Sequence, residues 1–90
     1  MSQLFKSIDV WKRTQSGGAV CYRCFESVPI GGFCVQSADF FNLPLEAKKS
    51  EFLERQFVEL LIQQSPTERT QVFATLEEAI AKHDEEFNCA

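Results

Sequence analysis

Ser65-Pro66-Thr67-Glu68 reads as the opening of a helix. Ser65 at the N-cap can accept a hydrogen bond from the first turn, Pro66 at N1 loses nothing by lacking an N–H, and Glu68 at N3 can reach back to the Ser65 amide. After it, Val72, Phe73, Leu76, Ala79, Ile80, His83 and Phe87 recur at three- and four-residue steps, which predicts one helix from about Pro66 to Glu86 with a single apolar stripe.

Working back toward the N-terminus, Ala38-Asp39-Phe40-Phe41-Asn42-Leu43-Pro44 reads as a link in which Asn42 or Asp39 caps a helix and Pro44 occupies its first turn. That helix runs to about Gln64. Its main stripe is Leu45, Phe52, Leu53, Phe57, Leu60 and Leu61, while Val58 and Ile62 fall on the far side, so the apolar arc is wider than one packing surface needs. The short connection Gln63-Gln64-Ser65 favours an antiparallel helical hairpin.

The first third of the chain reads as strands. Ile8 to Thr14 and Ala19 to Glu26 are rich in β-branched, aromatic and cysteine residues and flank Gln15-Ser16-Gly17-Gly18; Val28-Pro29-Ile30-Gly31-Gly32 then leads to a third strand from Phe33 to about Ser37. With an even number of residues in each loop, one face collects Trp11, Val20, Tyr22, Cys24, Phe33 and Val35, and the other Ile8, Val10, Lys12, Cys21, Arg23, Phe25, Cys34 and Gln36. The expected fold is therefore α+β: a three-stranded antiparallel meander followed by an antiparallel helical hairpin packed on one sheet face, in the order β-β-β-α-α, with residues 1–90 as a single domain.

Composition supports a folded globule: 44% of the 90 residues are hydrophobic, 24% are charged, and Gly and Pro are few. No run resembles a signal peptide or approaches the length of a membrane span, so the expected location is the cytoplasm, with no membrane partner. Residues 1–36 carry a net charge of +2 and residues 37–90 a net charge of −6, for a total of −4. An acidic chain of this kind lacks the basic patch that nucleic acid requires; a weak binder would use Lys12, Arg13 and Arg23.

Cys21 and Cys24 form C-x-x-C, the one motif that invites chemistry. With Cys34, His83 and Cys89 as the remaining soft ligands, the spacing matches no standard zinc module, and a pair lying within a strand points to opposite faces. A thiol- or metal-dependent module built on Cys21, Cys24, Cys34 and His83 is the alternative reading; buried structural thiols, with no metal and no cofactor, are the main one. A lone His83 on an apolar stripe has no catalytic partner in the sequence, so no enzyme is expected. The surplus apolar residues Val10 and Phe25 on the second sheet face, with Val58 and Ile62 on the first helix, mark an interface, and the expected function is protein association, as a homodimer or with another protein.

Overall fold

The computed structural model describes residues 3–28 and 30–87. The α+β class and the β-β-β-α-α order hold. The strands are Leu4–Arg13 (β1), Ala19–Val28 (β2) and Phe33–Phe41 (β3); the helices are Ala47–Gln63 (α1), a single turn Pro66–Arg69 (α2), and Leu76–Phe87 (α3). The strands form one antiparallel sheet with β2 at its centre.

β1 pairs with β2 in a register that the sequence did not disclose. Arg13 lies opposite Ala19, so the connection is the odd-numbered run Thr14–Gly18 rather than four residues. It is closed by Thr14 N–H to the Gly18 carbonyl and Gly18 N–H to Thr14 Oγ1, both 2.9 Å, with Gly17 at a φ of +89° that glycine adopts without strain. One added residue moves every β1 side chain to the opposite face. Ile8 and Val10 therefore sit beside Cys24 and Tyr22, and Trp11 joins Cys21 on the other side. On β3 the expected parity holds up to Val35, after which a bulge at Gln36 shifts the pairing by one residue.

The sheet is covered on both faces, which corrects the expectation of a hairpin on one. Leu76, Ala79 and Ile80 of α3 pack with Val20, Tyr22, Cys24, Val35, Ile8 and Val10 as the main core. The Tyr22 hydroxyl donates to Asp84 Oδ1 at 2.7 Å and ties α3 down. Phe25, three residues from Tyr22 and so on the opposite face, stacks on Phe57 of α1 with ring centroids 5.2 Å apart and planes at 10°.

The long second helix is also corrected. Ser65 makes no side-chain cap, its hydroxyl instead meeting Thr67 Oγ1 at 3.0 Å, and the helix it opens lasts one turn. The chain then extends so that Phe73 exchanges two backbone hydrogen bonds with Phe33, at 2.8 and 2.7 Å. Gly32 allows this approach, since a Cβ there would lie 2.5 Å from Val72 Cγ1. α3 is capped by Thr75, whose Oγ1 accepts from Glu78 N–H at 3.1 Å and whose hydroxyl donates to Glu78 Oε1 at 3.1 Å. Thr75→Ala is therefore expected to cost about 1 kcal/mol in urea melts and Ser65→Ala clearly less. Equal losses would show that the Ser65 turn carries the helix.

Candidate functional site

α1 is held on its sheet face by few contacts. Beyond the Phe57 stack, the Phe57 carbonyl accepts from Gln36 Nε2 at 3.1 Å, and Arg23 lies with its guanidinium 5.4 Å from the Phe57 ring centroid. Arg23 is only 11% exposed and meets three carboxylates: Asp39 at 3.1 Å, Glu54 of α1 at 3.2 Å and Asp9 at 3.4 Å. Asp39 is 8% exposed, which makes the pair a buried one that organises this face.

The inner stripe of α1, Leu53, Phe57, Leu60 and Leu61, is half-buried, and no residue of the helix is fully buried. Its flanks carry Phe52, Val58 and Ile62 at 58, 45 and 78% exposure, and Leu43 and Leu45 just before it are exposed too. Val58 and Ile62 are four residues apart and share one flank. Of the expected interface residues these two lie at the surface. Val10 does not, because the β1 register turns it into the core beneath α3, and Phe25 does not, because Phe57 covers it. Phe52, which periodicity places in the core stripe, is exposed at its edge.

The soft ligands are dispersed. Cys24 and His83 belong to the α3 side of the sheet, Cys21 and Cys34 to the α1 side, and among the described residues no three metal-ligating side chains converge; Cys89 lies outside them. Burial pushes the Cys21 thiol up to about 11 and Cys24 to about 12, and raises Cys34 as well. Such thiols are poor nucleophiles and poor ligands at neutral pH. The native protein is expected to leave Cys21, Cys24 and Cys34 unlabelled by iodoacetamide, as read by peptide mass spectrometry; rapid labelling of Cys21 or Cys24 would contradict this burial. Because the folded values lie above the ordinary 9.0, the stability tied to the protonated thiols is intact below that pH and is lost as pH rises through them.

His83 sits edge-on to Tyr22 with centroids 6.1 Å apart, and burial lowers its pKa against the opposing pull of Asp84 and Glu86. Burial and the Asp84 hydrogen bond together raise Tyr22 to about 12, so this contact is a neutral anchor rather than an acid–base pair. The nucleic-acid candidates separate as well: Arg23 is enclosed by carboxylates, while Lys12 and Arg13 are exposed on opposite faces of β1.

A groove of about 640 Å³ follows the outer edge of β3, bounded on one side by Arg69, Thr70, Gln71 and Phe73 and on the other by α3. Val35, Gln36, Ser37, Ala38 and Phe40 of β3 line it, as does Phe87 at the end of α3. Sequence reasoning missed it, since it exists only because residues 70–75 leave the helix and cross the sheet edge. No family model, curated protein or solved structure matches the chain.

Proposed function

We propose that this domain is a non-enzymatic protein-association module that pairs with a second copy of itself through the outer flank of α1. The observation that carries the reading is α1 itself, a 17-residue helix with no buried residue and with Phe52, Val58 and Ile62 exposed. Helices in proteins draw most of their stability from tertiary packing of an apolar face, and Val58 and Ile62, exposed four residues apart on one flank, leave apolar surface for a partner.

The surface area agrees. The chain exposes 6459 Å², whereas a folded monomer of 10.3 kDa is expected to expose about 5,350 Å². The excess, roughly 1,100 Å², goes with an elongated chain that leaves surface for a partner. The radius of gyration, 13.6 Å against about 12 Å for a compact 90-residue domain, reflects the same elongation. Two-fold association covers such a patch with itself and leaves none exposed. Buried, protonated thiols suit a reducing compartment, so the cytoplasm is the proposed location.

Amide hydrogen exchange tests this reading. Protection of α1 is expected to rise with protein concentration while that of β2 stays constant. Exchange of α1 that is independent of concentration would overturn it.

A further inference from the structure

We infer that the outer edge of β3 is a second, independent docking site, which takes an extended segment of another protein as an added strand, apolar at alternate residues and acidic where it meets Arg69. The two edges of the sheet differ. β1 carries Lys6, Asp9, Lys12 and Arg13, the charged residues by which edges are kept from pairing, whereas β3 has no Lys, Arg or Pro along its length. Its single acid, Asp39, is buried against Arg23.

The available hydrogen-bonding groups can be assigned. Phe33 directs both its N–H and its C=O outward to Phe73. Alternation then turns the main chain of Val35 to the same edge and, past the bulge at Gln36, that of Ala38 and Phe40. Among the described residues, Phe33 is the one position of β3 whose outward groups are paired. The groove lies where the pairing stops, and Val35, Ala38 and Phe40, whose main chain faces out, are among the β3 residues that line it, with Gln36 and Ser37. An added strand would satisfy those groups and set alternate side chains against Phe73 and Phe87.

Charge defines the segment further. The α3 wall has mixed signs, Lys82 and Glu86, with Lys82 already 3.5 Å from Glu85. The facing wall carries Arg69, which has no carboxylate within ion-pair distance among the described residues. An acidic side chain on the incoming strand complements it, and a guanidinium favours a carboxylate in two-pronged contact.

A displayed library of random short peptides is the probe, selected on the wild-type protein and counter-selected on Ala38→Pro. Proline is tolerated on an edge strand where its nitrogen faces outward, yet it removes the donor and fills the approach. The expected outcome is an enriched family of alternating apolar peptides bearing an acid. A synthetic member is expected to bind Ala38→Pro and Arg69→Glu each at least about tenfold more weakly, the loss of one or two hydrogen bonds or of one ion pair. In the wild type, binding is expected to slow amide exchange at Ala38 and Phe40, which keeps the inference testable even where Ala38→Pro fails to fold. Absence of any enriched family, or binding that leaves both amides unchanged, would overturn the inference. Because α1 is untouched, either result stands apart from self-association.

Discussion

Arg23→Ala is expected to be among the most damaging single substitutions in this protein, costing about 3 kcal/mol or more in urea denaturation. The side chain does three jobs at once. It neutralises Asp39, which is 8% exposed, it supports the Phe57 ring at 5.4 Å, and through Glu54 it provides the one ion pair joining α1 to the sheet among the described residues. Truncation leaves Asp39 buried without its counter-charge, and it is this unpaired charge, more than the lost attraction, that sets the cost. The exposed pairs to Asp9 and Glu54 add little, since a carboxylate in water gains only a few tenths of a kcal/mol from such contacts. Adding Asp39→Asn to Arg23→Ala is therefore expected to recover part of the loss. A cost under about 1 kcal/mol for Arg23→Ala would mean that Asp39 rehydrates easily and that the network does not organise this face.

What could be read from the sequence follows from the range over which each signal acts. The existence of three strands, both glycine turns and the inner stripe of each long helix were legible because alternation and three- to four-residue spacing are local, whereas Ala38–Phe41, read as a link that caps a helix, continues β3. The β1 register was not, because it depended on whether the first turn holds four or five residues. Thr14, with a side chain able to close the turn onto Gly18, decided for five and moved Val10 into the core. The helix start was ambiguous for a similar reason. Ser65-Pro66-Thr67-Glu68 and Thr75-Leu76-Glu77-Glu78 share one capping pattern ten residues apart, and Val72 and Phe73 continue a helical stripe between them. The stretch Thr70-Gln71-Val72-Phe73-Ala74-Thr75, rich in β-branched and aromatic residues, was the available sign that the chain extends there and pairs with Phe33. Of the residues expected at an interface, Val58 and Ile62 lie at the surface, because a helix's outer flank is fixed by its own periodicity. Val10 and Phe25 were misplaced because their exposure depended on register and on which face each helix takes.

Val58→Glu and Ile62→Glu are expected to have the largest effect on association. Ile62 is 78% exposed and Val58 45% exposed in the single chain, so a carboxylate at either position remains solvated there and leaves the fold intact. Across a two-fold interface each substitution occurs twice, removing about 1.5 to 3 kcal/mol of apolar burial per side chain and bringing like charges together. A total loss of about 4 kcal/mol corresponds to roughly a thousandfold weaker association. Far-UV circular dichroism is expected to fall modestly on dissociation, since α1 then rests on its half-buried inner stripe, the Arg23–Glu54 pair and the Gln36 hydrogen bond.

Light scattering across a dilution series measures the central claim most directly. The wild-type protein is expected to have the mass of two chains at high micromolar concentration and to move toward one chain on dilution, with Val58→Glu and Ile62→Glu at the mass of one chain throughout. A wild-type protein that has the mass of one chain at every concentration, or variants that remain paired, would contradict association through α1.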